Sequence, residues 1–135
     1  MNAQHITKIN LMGSPSRDKF KFWHKQAPMP RNFYACDIDF VLIEKDPPHI
    51  VAIMDYKMPQ DELSWTECIT FNDLVRHYPI YIIYSNADFV DFKIYRYAGC
   101  DDLNSKPLCP RLVNKTILHG QLEYIKWEAN IRRNL

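Results

Sequence analysis

Apolar and polar positions divide the chain into strand-like and helix-like stretches. Phe33–Glu44 reads FYACDIDFVLIE and alternates with a period of two, so Asp37, Asp39, Val41 and Ile43 fall on one face and Cys36, Ile38, Phe40 and Leu42 on the other. Lys45-Asp46-Pro47-Pro48 supplies turn chemistry. His49–Lys57 (HIVAIMDYK) then alternates again, with Val51, Ile53, Asp55 and Lys57 on one side. The two stretches predict an antiparallel hairpin. Across 63–77, Trp65, Ile69, Leu74 and Val75 recur near a helical spacing, which predicts a helix that Pro79 closes. Residues 78–85 (YPIYIIYS) form an apolar run of strand length suited to burial on both faces, and Phe89–Tyr97 (FVDFKIYRY) predicts its partner strand. Ser16–Gln26 reads as a short first helix closed by Pro28 and Pro30, with Ile6–Leu11 ahead of it as a short strand or a loosely ordered segment. Residues 99–119, which contain Pro107 and Pro110, read as irregular. Gln121–Arg133 predicts an amphipathic helix that packs through Leu122, Ile125, Trp127, Ala129 and Ile131. The order of elements predicts an α/β fold, a mixed central sheet flanked by helices.

Composition narrows the class. A chain of 135 residues that is 47% hydrophobic and 24% charged has the profile of one soluble domain, and no repeat or low-complexity linker divides it. The three glycines, at 13, 99 and 120, exclude a Gly-rich phosphate loop of the GxGxxG or Walker type. Cys36, Cys68, Cys100 and Cys109 form no CxxC pair, so neither a zinc knuckle nor a disulfide framework is signalled, and a reducing, cytoplasmic setting is expected. Residues 1–30 hold no apolar stretch of signal-peptide length, and the longest apolar run, 78–84, is too short to cross a bilayer. The five histidines form no HExxH or HxH pattern, and no serine stands in a GxSxG elbow.

The net charge of +1 conceals an uneven arrangement: residues 1–34 carry +5, residues 35–102 carry −8 and residues 103–135 carry +4. An acidic middle between basic ends suits a cation site flanked by contacts to a polyanion, although clustered signs also occur on ordinary solvated surfaces. Tyr81, Tyr84, Tyr95 and Tyr97, with Lys93 and Arg96, have the composition of a base-stacking platform, but aromatic strand residues more often serve the core or pair across strands.

The chemistry concentrates in the hairpin. With the turn centred near residue 47, positions summing to 94 face each other, which sets Asp39 against Asp55 and Asp37 against Lys57 on one face. Two carboxylates across an antiparallel pair repel unless a proton or cation lies between them. A hard divalent ion is the economical solution, because Mg²⁺ is commonly held by one or two carboxylates together with water and phosphate oxygens. Lys57, beside that ion, suits hydrolysis of a phosphodiester.

Asp39 followed by Asp55-Tyr56-Lys57 across a hairpin, with a helix before it and a helix plus strand after it, resembles the PD-(D/E)XK nucleases, the restriction-endonuclease-like and Holliday-resolvase-like fold. The resemblance covers about residues 16–97, and Ser16-Arg17, Trp23 and Ala35-Cys36-Asp37-Ile38-Asp39-Phe40 are similar to small phage and bacterial members. It implies a restriction-endonuclease-like core, dependence on Mg²⁺ or Mn²⁺, and in-line attack of an activated water on nucleic acid, with DNA the first expectation. On that pattern Asp39 and Asp55 are metal ligands, the Tyr56 carbonyl is an additional ligand and Lys57 is the catalytic lysine. Asp39 is preferred over Asp37 as the motif aspartate because it lies opposite Asp55, and Asp37 remains the alternate ligand. The chain departs from the pattern in having no proline before either aspartate, an Asp at 55 where Glu is commoner, and only Asp18 in the first helix. Arg17, Lys19, Lys21, Lys25, Arg132 and Arg133 are the expected contacts to backbone phosphates, and a homodimer is the expected way to span a duplex. The alternative is a catalytically inactive protein of this fold that binds a protein or nucleic acid, for example a phage-borne inhibitor.

Overall fold

In the computed structural model, which describes residues 15–26 and 36–131, the apolar run predicted for burial on both faces becomes the middle strand of a five-stranded sheet. The chain divides into two units, Met1–Phe33 and Tyr34–Leu135. The first contains α1 (Pro15–Gln26), in which the Phe20 ring lies 5.7 Å from that of Trp23 and 5.9 Å from that of His24. The strand-like segment at Ile6–Leu11, and the start of the Phe33–Glu44 stretch, lie outside the described residues.

The second unit carries β1 (Phe40–Glu44), β2 (His49–Lys57), α2 (Trp65–Leu74), β3 (Ile80–Ser85), β4 (Asp91–Tyr97), β5 (Leu112–His119) and α3 (Gln121–Ala129). The strands are arranged in sequence order. The β1/β2, β3/β4 and β4/β5 pairs are antiparallel, whereas β2 and β3 run parallel because α2 carries the chain back across the sheet. The fold is therefore α/β with a mixed sheet, as the order of elements predicts.

Alternation along the strands sorts the side chains into two cores. Ile53, Ile80, Ile82 and Tyr97 pack with Cys68 and Phe71 of α2 on one face. Ala52, Met54, Tyr81, Ile83, Phe92 and Ile94 form the other, against Tyr124 and Trp127 of α3 and Ile131 beyond its end. The Tyr124, Trp127 and Ile131 spacing is one helical stripe. Leu122, Ile125 and Ala129 were expected to pack and are instead exposed, because they lie to the side of that stripe.

The structure corrects the sequence reading in three further places. Residues 112–119 are a strand, not irregular chain. Its period of two is broken where the register against β4 shifts between Ile94 and Arg96, with Asn114 at φ 56°. Asparagine tolerates this left-handed conformation at a bulge. A second shift, between Leu42 and Ile43, leaves Val51 as an extra residue of β2 and turns it toward the α3 face, away from Ile53 and Asp55. Finally, β1 begins at Phe40, and residues 36–39 approach it without strand pairing. Among the described residues, no helix is long and apolar enough to cross a membrane.

Candidate active site

The β1/β2 register pairs Phe40 with Met54, Val41 with Ile53 and Leu42 with Ala52, which is the predicted sum of 94. One step further along the same register, Asp39 lies across from Asp55. The ladder stops there for a chemical reason: the Asp39 carboxylate accepts the Tyr56 backbone N–H at 3.0 Å through Oδ2, a donor that a continuing strand would offer to a backbone carbonyl. Asp39 is thereby fixed over the Asp55–Tyr56 backbone. The expected pairing of Asp37 with Lys57 is not made by strand register, since Asp37 precedes β1 and is exposed. The Tyr56 hydroxyl donates to the Ser85 carbonyl at 2.9 Å and ties the end of β2 to the end of β3.

Asp55 is almost fully buried, with 2% of its surface exposed. Its Oδ2 has no hydrogen-bond partner, and the nearest cation, Lys57 Nζ, lies 3.4 Å away in a charge contact. Burial first, then the facing Asp39 carboxyl and the charge of Glu67, push the Asp55 carboxyl up to about 8 against the pull of Lys57. A buried carboxylate whose single cation is shared with a second carboxylate, Glu67, is unfavourable and is favoured by a proton or a further cation.

Glu67 completes the cluster and was not anticipated from the sequence. Lys57 Nζ donates to both of its oxygens, at 2.8 Å to Oε1 and 2.7 Å to Oε2. Burial disfavours charge on both partners, but the pairing outweighs it: the Lys57 ammonium titrates above its usual value, and the Glu67 carboxyl below its own. Glu67 is itself held by the start of α2. Ser64 is the N-cap, its hydroxyl accepting from the Glu67 N–H at 3.2 Å while Glu67 Oε1 accepts from the Ser64 N–H at 2.8 Å. This reciprocal capping box has a sequence signature, Ser64-Trp65-Thr66-Glu67, and that signal marks Glu67 as anchored at a helix start. Replacing Ser64 by Ala is expected to cost about 1 kcal/mol through the lost cap and to loosen Glu67 from Lys57. Thermal unfolding would register the first effect, and faster modification of Lys57 by an acylating reagent the second.

Among the described residues no group of three or more His, Cys, Asp or Glu side chains is arranged to hold a metal ion. The orphaned Asp55 oxygen facing Asp39 nevertheless fits a hard divalent ion, which needs only one or two carboxylates and takes the rest of its shell from water and phosphate. Arg17, Lys19 and Lys21 belong to α1 in the first unit, while the Lys25 side chain, Arg132 and Arg133 lie outside the described residues.

The tyrosines divide between the two faces. Tyr81 packs on Trp127, with Arg96 5.3 Å above its ring, and Tyr97 is buried, its hydroxyl donating to Asn72 Oδ1 at 2.7 Å. Both are structural. In comparisons with known proteins, the chain matches no family model, no curated protein and no solved structure at a significant level.

Proposed function

We propose that the chain is a metal-dependent nuclease of the PD-(D/E)XK type. The observation that carries this reading is the buried Asp55 carboxyl, whose Oδ2 makes no hydrogen bond, held across from Asp39 and in charge contact with Lys57. Asp55 and Asp39 would hold the ion, with the Tyr56 carbonyl as the additional ligand that the family pattern implies. Once bound there, Mg²⁺ or Mn²⁺ supplies activation of water and neutralisation of charge on the phosphoryl group. The remaining steps fall to the chain. Asp39, pinned by the Tyr56 N–H, would keep its orientation, and Asp55 would give up its proton to serve as the second carboxylate ligand. Lys57 has three donor protons, two directed at Glu67, and by turning one of these N–H bonds from Glu67 to the scissile phosphate the ammonium can stabilise the charge developing there.

A second reading, a binding protein of the same fold without catalysis, is favoured by the Lys57–Glu67 pair, which already neutralises the ammonium. One experiment separates the two. Mg²⁺ or Mn²⁺ is titrated calorimetrically into wild type and Asp55→Ala, and both are then screened against DNA and RNA substrates. Metal binding and cleavage in wild type, both lost in the variant, are the expected result. A folded wild-type chain that neither binds metal nor cleaves would overturn the nuclease reading and leave the binding protein.

A further inference from the structure

A cavity of about 600 Å³ opens on the α2 face of the sheet, beside the cluster just described. The sheet register explains why the two adjoin: Lys57 pairs with Tyr84, and Tyr84 pairs with Lys93, so these three residues form one row across β2, β3 and β4. In the next row, Asp55 pairs with Ile82 and Ile82 with Tyr95. Tyr84, Tyr95 and Lys93 line the cavity from these rows, and Gln60, Asp61 and Glu62 line it from the loop after β2. The two tyrosine rings stand 5.9 Å apart and nearly perpendicular, at 86°. Tyr84 is also electrostatically coupled to the cluster, because its phenol is raised first by burial and is opposed by the charge of Lys57.

Of the four tyrosines that suggest a stacking platform, Tyr84 and Tyr95 line this cavity, and Tyr84 is the register partner of Lys57, the lysine proposed to act on a phosphodiester. We propose that the cavity seats one unpaired base of a nucleic-acid strand, stacked on the Tyr95 ring with Tyr84 edge-on beside it, while the adjoining phosphates reach Lys57 and Lys93. This deepens the nuclease reading and rests on it for the identity of the polymer. Stacking suits any base, since each presents a π face. Selectivity comes from Asp61, Glu62 and the Gln60 amide oxygen, acceptors that complement the exocyclic amino groups of cytosine, adenine or guanine, whereas thymine offers them only its single N3–H. The Asp61 and Glu62 carboxylates repel phosphates from the cavity itself, while Asp91, also in its lining, is paired with His119 at 2.9 Å, so a base enters and the backbone stays outside. A paired base cannot enter without leaving its duplex, and the substrate class is therefore single-stranded or unpaired nucleic acid.

The test measures binding without cleavage. Fluorescein-labelled octamers of dC, dA and dT are titrated with the wild-type chain in EDTA and followed by anisotropy, alongside Tyr95→Ala, Tyr95→Phe and Lys93→Ala, each checked for its fold by circular dichroism. The expected result is tighter binding of the dC and dA octamers than of dT, a loss of about 5- to 100-fold in Tyr95→Ala, near-wild-type affinity in Tyr95→Phe, and a shallower salt dependence in Lys93→Ala. Equal affinity of wild type and Tyr95→Ala would overturn the subsite even if the chain cleaves nucleic acid with Mg²⁺. Tyr95-dependent binding by a chain that never cleaves would sustain the subsite and remove the nuclease reading. Absence of binding to any octamer, or equal affinity for dT, overturns the proposal.

Discussion

Thermal stability is expected to fall as the pH rises from about 5 to about 8.5, to be restored by Mg²⁺ or Mn²⁺ at the alkaline end, and to lose both responses in Asp55→Asn. The sign follows from the direction of the Asp55 shift. Its carboxyl titrates near 8 in the folded chain against 3.8 as a model group, so between these values the folded state holds a proton that the unfolded state has released. Stability therefore declines with pH across that window, by up to about 1.4 kcal/mol per pH unit, and levels off above it. Glu67, shifted the other way, contributes above the ordinary carboxylate range, and its contribution is lost only as the pH falls below that range. A divalent ion replaces the proton on Asp55, so its stabilising effect is largest where the proton is hardest to keep. Unfolding followed by circular dichroism across pH, with and without metal, checks this. A flat profile in wild type would mean that Asp55 is not held in a desolvated site.

Replacing Lys57 by Met is expected to destabilise the fold by about 3 kcal/mol, because the buried Asp55 and the half-buried Glu67 would then face each other without a cation. The double variant Lys57→Met/Glu67→Gln is expected to regain a large part of that loss, since it removes the stranded charge as well as its partner. Denaturant unfolding of the two single variants and the double variant closes the cycle. If Lys57→Met unfolds like wild type, the three groups are not energetically coupled. Catalysis separates the roles further: at a folding-permissive temperature, Lys57→Met is expected to lose about 10²- to 10³-fold in cleavage rate, whereas Glu67→Gln keeps the ammonium and retains most of the activity.

The hairpin and its carboxylate pair were legible because each depends on local chemistry. Period-two alternation, a proline-rich turn and the sum rule for an antiparallel register place Asp39 across from Asp55 with no knowledge of the remainder of the chain. The central strand was legible for a similar reason, since only a strand covered on both faces tolerates six residues as apolar as Ile80–Ser85. Glu67 is a different case. Its capping box marks a helix start, but that this start lies over Lys57 depends on how α2 crosses between β2 and β3, a contact across ten residues that no local pattern encodes.

Residues 112–119 were hidden because a bulge at Asn114 interrupts the alternation by which strands are recognised, and only pairing with β4 restores the register. The four tyrosines are alike in sequence, but the sheet assigns Tyr81 to one core and Tyr97 to the other, and leaves Tyr84 and Tyr95 at a cavity. Sequence by itself determined the hairpin, the central strand and its partner and the helices, and, outside the bulges at Val51 and Asn114, which residues share a face, because those follow from backbone periodicity. Only the tertiary structure decided which groups are desolvated together, because burial and charge coupling at Asp55, Lys57 and Glu67 arise from packing between distant segments.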